Sequence, residues 1–135
     1  MFGEEIRKYL HPDPAIVDMV AQVTQHPDRP RPLREIDQIF MLPGSQAVQA
    51  LLTIDYLKYR DVAFVGDGDA MALVIAHLAN RGVFKSPSKM RVFDFDQRIL
   101  DFIKVVVKDL GLPADLIDCY LYNVRDPIAA DNPVK

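Results

Sequence analysis

The chain has one cysteine, Cys119, no tryptophan and three histidines in 135 residues. A single cysteine excludes an internal disulfide. His11, His26 and His77 each lack a second ligand at metal-binding spacing, so no metal centre is expected. Net charge is small: 16 basic against 19 acidic side chains leave −3, and the isoelectric point is near 5.5. That balance offers no footprint for nucleic acid or an anionic membrane, and it leaves room for a cationic substrate. Arg29, Arg31 and Arg34 form a basic cluster too small to change this. No apolar run approaches the ~18 residues that cross a bilayer, and no charged-then-apolar leader opens the chain, so a cytoplasmic setting is expected.

Half of the residues are apolar, enough for one compact core. Asp13-Pro14 supplies an N-cap and a first-turn proline, and Ile16, Val17, Val20 and Val23 recur at helical spacing, which predicts an amphipathic helix over 14–25. His26 to Pro32, HPDRPRP, cannot continue that helix. It reads as a stiff connector, not a site, dividing a helical appendage (1–32) from the main domain (33–135). A second helix is expected after Pro43-Gly44, capped by Ser45 and burying Val48, Leu51, Leu52 and Leu57. A strand over Val62–Val65, a helix over 70–80 closed by Arg81-Gly82, and a strand over Met90–Asp96 follow. Then come a helix over 97–110 and a strand over Asp118–Val124, with a polar tail beyond. The helix over 97–110 carries Ile99, Leu100, Ile103, Val106, Val107 and Leu110 on its buried side.

This alternation predicts an α/β fold: a partial Rossmann-like three-layer sandwich with parallel strands in the order 3-2-1 and right-handed crossovers. In such a sheet ligands bind at the carboxyl ends of the strands, where Gly66, Asp94 and Asn123 all fall. Tyr56, Tyr59, Tyr120 and Tyr122 are expected to pack in the core, His77 on or beside the loop helix, and Cys119 as a buried small hydrophobe.

The most informative stretch is DVAFVGDGDA, Asp61 to Ala70, together with MRVFDFD, Met90 to Asp96. A strand running into Gly66-Asp67-Gly68-Asp69 and then a helix gives a turn that a ligand can approach closely. Asp94 sits at the next strand tip, where a carboxylate can accept both ribose hydroxyls, while Asp96 suits either a ligand or the N-cap of the following helix. Asp67 and Asp69 would repel a phosphate, which favours a positively charged nucleoside of the S-adenosylmethionine type. The alternative is that both aspartates are solvated and Asp69 caps the helix.

These residues resemble the first two motifs of the class I S-adenosylmethionine-dependent methyltransferase fold, and more closely the aminopropyltransferases that share it. Gly66-Asp67-Gly68-Asp69 is similar to their Gly-Gly-Gly-Asp loop, and Asp94-Phe95-Asp96 to their Glu-Ile-Asp segment. The nearest resemblance is to the branched-chain polyamine synthases, through Asp37-Gln38, the loop, the Asp-x-Asp segment and Asn123-Val124-Arg125-Asp126-Pro127, over about residues 30 to 130. The resemblance implies that Asp69 contacts the amine of decarboxylated S-adenosylmethionine, Asp94 the ribose, and Asn123 and Val124 the adenine region. It implies aminopropyl transfer to a polyamine and no metal. Family members continue into a fourth strand where the acceptor and general base sit, and Lys135 stops short of it. The chain is therefore expected to hold the donor-binding half alone, as an enzyme part or as a non-catalytic binding module. The unpaired edge of Val62–Val65 is expected to drive homo-oligomerisation.

Overall fold

The computed structural model describes residues 10–32 and 41–123. Among these residues four helices and three strands follow one another: α1 Pro14–Thr24, α2 Pro43–Leu57, β1 Asp61–Val65, α3 Met71–Asn80, β2 Lys89–Asp94, α4 Gln97–Asp109 and β3 Ile117–Leu121. Each crossover carries a helix, as parallel pairing requires. The sheet order is β1-β2-β3, with β1 and β3 both parallel to β2. That is the expected 3-2-1 order seen from the other edge. No helix among the described residues is long and apolar enough to cross a membrane.

Register fixes which side chains share a face. Met90 pairs with Val62 on one side and Ile117 on the other, and Val92 with Phe64 and Cys119. These six join one hydrophobic cluster with residues from all four helices. The next residues along, Asp61, Ala63 and Val65, point the other way and are exposed, Val65 at 62%. On that opposite face Phe93 is buried against Tyr120, stacked at 4.8 Å, and Tyr122, edge-on at 5.9 Å. The described residues thus supply two layers of the sandwich, sheet and helices.

α1 opens as its sequence predicts, with the Asp13 side chain accepting from the Ala15 N–H at 2.9 Å. α3 is buried from Met71 to Leu78 and apolar there except for His77, because it lies between the sheet and the other helices. α4 buries Ile99, Leu100, Ile103 and Val106 as expected, and also Phe102; Val107 and Leu110 lie at its margin.

α2 departs from expectation. It starts at Pro43 with Leu42 at the N-cap, so Ser45 lies within the first turn and caps nothing. Its buried face is Gln46, Ala47, Ala50 and Ile54, while Leu52 is exposed and Val48, Leu51 and Leu57 are only partly covered. Two alanines on the contact line let α2 approach α1 and α3 closely, and the bulkier leucines are displaced to its flanks. Tyr56 and Tyr59, expected inside, are 76% and 64% exposed. Strand ends shift as well: β2 stops at Asp94 and β3 at Leu121.

Leu73→Ala should lower the urea-unfolding free energy by about 2–5 kcal/mol, and Leu52→Ala by less than about 0.5 kcal/mol. Equal losses would contradict this assignment of the helix faces.

Candidate functional site

Gly66 has φ +83°, a left-handed conformation that strains any side chain, and this turns the chain off β1. Its N–H donates to the Phe93 carbonyl at 2.7 Å, extending the β1–β2 ladder one residue further. The next N–H, of Asp67, donates to Asp94 Oδ2 at 2.9 Å. Asp94 Oδ1 accepts from the Asp96 N–H at 2.9 Å. Asp94 is 4% exposed, so a buried carboxylate at the tip of β2 ties the glycine loop to the start of α4.

Asp67 turns inward. Its Oδ1 accepts from the Met71 N–H at 2.8 Å and its Oδ2 from the Ala72 N–H at 3.1 Å, so Asp67, not Asp69, caps α3. The reason is local. Ala70, at the N-cap position, is left-handed with φ 57° and has no capping group, and Asp67 stands far enough back to reach the first two helical N–H groups. Burial pushes the Asp67 carboxyl up to about 7; the two N–H bonds oppose this, while Asp69 and Asp94 add to it.

Asp69 is half-buried. Its Oδ1 accepts from the Met41 N–H at 2.6 Å, and its carbonyl accepts from Gln46 Nε2. Asp96 fills the N-cap role, accepting from the Arg98 N–H at 3.1 Å, and its other oxygen pairs with Arg98 Nη2 at 2.8 Å. Phe95 is 54% exposed at the crevice, and Asn123 is exposed beyond β3. The Tyr122 N–H donates to the Asp94 carbonyl at 2.8 Å, which carries the β2–β3 pairing to the same rim. Gly66, Asp67, Gly68, Asp69, Asp94, Phe95, Asp96 and Asn123 therefore belong to the strand-end region. Val124, Asp37, Gln38, Arg125, Asp126 and Pro127 lie outside the described residues.

The segment read as a plain connector does more than connect. Arg29 donates through Nη2 to the Gly68 carbonyl at 3.1 Å and through Nη1 to the Thr24 carbonyl at 3.0 Å, joining the end of α1 to the loop. Burial holds its pKa below the ordinary arginine value, opposed by the charges of Asp69 and Asp67. Arg98 Nη1 reaches the Arg31 carbonyl at 3.1 Å. His26 accepts the Asp28 N–H on Nδ1 at 3.1 Å, which places its proton on Nε2, 2.9 Å from Asp109 Oδ2. His26, Asp28 and Asp109 gather within 4.8 Å, a juxtaposition that spacing in the chain hides, but in this tautomer His26 is a donor to Asp109. Arg29, Met41, Gln46 and His26 were not legible from motif spacing, because each acts across the fold on a backbone group or a distant side chain.

Two bland expectations hold. His77 is buried on the loop helix α3, with Nε2 2.6 Å from Gln22 Oε1, and burial lowers its pKa. Cys119 is half-buried and its thiol is pushed up to about 11 by burial, which removes it as a nucleophile at neutral pH.

Three parallel strands with a glycine turn, strand-end carboxylates and helices in the crossovers define an α/β domain with its crevice at the carboxyl edge of the sheet. The chain belongs to the family described as the branched-chain polyamine synthase A C-terminal domain, which matches residues 18–134. It is 24% identical over 117 residues to an N(4)-bis(aminopropyl)spermidine synthase of Thermococcus kodakarensis, and 26% identical over 103 residues to the synthase of that name from Thermus thermophilus. These alignments cover 84% and 75% of this chain but 30% and 27% of the relatives. The solved branched-chain polyamine synthase of Thermus thermophilus, in complex with N4-aminopropylspermidine and 5'-methylthioadenosine, superposes with a TM-score of 0.69 at 22% identity. That match covers 84% of this chain and 30% of the solved one. The chain thus spans about a third of the length of these relatives.

The raised Asp67 pKa gives stability a pH dependence. The folded chain retains this proton up to about pH 7, whereas the unfolded chain releases it near the ordinary 3.8. The folded state binds more protons between those values, so this contribution is complete below pH 4 and is lost as pH rises through 7. Urea titrations at pH 5, 6, 7 and 8 should show a falling contribution that Asp67→Asn removes. An identical slope in the two proteins would refute it.

Proposed function

We propose that this chain forms the donor-binding part of an aminopropyltransferase acting on polyamines, and that its crevice holds S-adenosylmethionine or, in preference, the decarboxylated form. The observation that carries this reading is Asp69. Asp67 and Asp94 are buried and hold the loop together, while Asp69 is half-buried at the rim with Oδ2 accepting no bond from a described residue. A carboxylate placed there attracts an ammonium, and decarboxylation removes from the donor the group that Asp69 would repel.

In this reading Gly66 and Gly68 let the nucleoside approach the backbone. Asp94, each of whose oxygens has a lone pair beyond its single internal bond, accepts from the ribose. Asn123 and Val124 meet the adenine, with Phe95 and Asp96 beside them. A neutral polyamine nitrogen attacks the carbon next to the sulfonium; the C–N bond forms, the C–S bond breaks with its electron pair going to sulfur, and the amine's proton passes to a base. Positioning supplies most of the rate. The support is family membership together with the ligands of the solved Thermus thermophilus relative.

A second reading, a non-catalytic binding module, is favoured by the internal use of Asp67 and Asp94. Calorimetric titration joined to an activity assay separates the two. Decarboxylated S-adenosylmethionine should bind more tightly than S-adenosylmethionine, and Asp69→Asn should reduce that preference about tenfold or more. Binding without turnover supports the module, and absence of binding by either sulfonium nucleoside overturns both readings.

We also propose that the chain self-associates through β1, which among the described strands pairs only with β2 and carries the exposed Val65. Sedimentation equilibrium at micromolar concentration should show a dimer or larger; a monomer would overturn this.

A further inference from the structure

We infer that Gln46 is a second recognition residue for the donor, its amide oxygen receiving the same primary ammonium as Asp69; this rests on the donor-binding reading above. Gln46 stands in the first turn of α2 and its side chain is fully buried. Its Nε2 donates to the Asp69 carbonyl, and its Oε1 has no hydrogen-bond partner among the described residues. Buried amide oxygens are satisfied in folded proteins as a rule, so an unpartnered one marks either a strained group or a place reserved for a ligand.

The orientation of the amide is settled by its neighbour. Turning it over would set Oε1 against the Asp69 carbonyl oxygen, two acceptors face to face, so the unpartnered atom is an acceptor and lacks a donor. Its surroundings are of the same kind. Nε2 and Oε1 are bonded to the same carbon, so Oε1 stands near the Asp69 backbone that Nε2 contacts, and the side chain of that residue offers a second acceptor and a negative charge. The nearby cation, Arg29, is engaged with the Thr24 and Gly68 carbonyls. A cluster of acceptors around one carboxylate fits a group with several N–H donors and a positive charge, which is a primary ammonium. A phosphate or carboxylate would bring only more acceptors.

The contacts around Asp69 indicate how the group enters. Met41 presents its backbone N–H to Asp69 Oδ1 at 2.6 Å, the kind of contact an ammonium would make. Oε1 is sealed from solvent. Met41 and the first turn of α2 must therefore shift from Asp69 as the amine arm arrives. The ammonium then bridges Asp69 and Gln46.

Two neutral-sulfur nucleosides isolate this contact. 5'-Methylthioadenosine carries a methyl on sulfur, and S-adenosyl-3-thiopropylamine carries the 3-aminopropyl arm in its place and is otherwise the same. In calorimetric titrations of the whole chain the arm-bearing compound should bind more tightly. Gln46→Met should cut that ratio at least fivefold while leaving 5'-methylthioadenosine within twofold. Equal losses for both compounds, or an unchanged ratio, would overturn the assignment and leave Asp69 its role. Should Gln46→Met fail to fold by thermal melting, the isosteric Gln46→Glu decides. Its ratio should rise above the wild-type value as pH goes from 5 to 8 and the new carboxyl ionises, whereas a ratio equal to wild type throughout would overturn the assignment. If neither nucleoside binds the wild-type chain, the donor reading itself fails and this inference with it.

Discussion

The Asp94 carboxylate is the constraint on which the crevice depends. One oxygen holds the Asp67 N–H of the glycine loop and the other holds the Asp96 N–H at the entrance to α4. Two crossover connections are thereby fixed to the tip of the central strand. With the Asp67 backbone fixed, its carboxylate reaches back to the Met71 and Ala72 N–H groups and starts α3. A chain of buried acid, backbone amide, buried acid and helix start sets the shape of the strand-end rim before any ligand is considered. Carboxylates in such settings cost free energy unless every oxygen is engaged, and here each of the four is.

A second level of support comes from outside the α/β core. The 26–32 segment runs from Asp109, at the far end of α4, to Arg98 and Gly68 at the crevice, with His26 also edge-on to Phe102 at 5.7 Å. Met41 and Gln46 hold the Asp69 half of the loop from the other direction. The loop thus has an inner half, fixed by the sheet and α3, and an outer half, fixed by residues that precede the sheet in sequence. Its two aspartates are divided accordingly, Asp67 to structure and Asp69 to the rim.

Much of this was legible in the sequence because strand and helix periods and turn residues report on local physics. The parallel three-stranded order, the amphipathic α1 and α4, the left-handed Gly66 and the N-cap at Asp96 follow from such patterns. Assigning the two loop aspartates to their roles did not. Asp69 stands next to the helix and looks like its cap, but a left-handed Ala70 turns the backbone so that Asp67 reaches the free N–H groups. The α2 face departs from its leucine pattern for a similar reason. Leucines advertise burial, yet alanines made the contact because helix separation, which no single-helix pattern encodes, was the deciding quantity. Arg29 gave no signal at all, since its partners are carbonyls that every residue carries.

The open face of the sheet has a guarded base. Arg91, from the central strand, pairs with Asp61 at 3.1 Å on the side away from the helices, below the apolar patch of Val65, Phe93 and Tyr120. Laying a second such surface flat over this one would strip water from an ion pair that gains little in return. The pair acts as a gatekeeper: it discourages amyloid-like stacking while leaving the upper patch able to receive a complementary covering element.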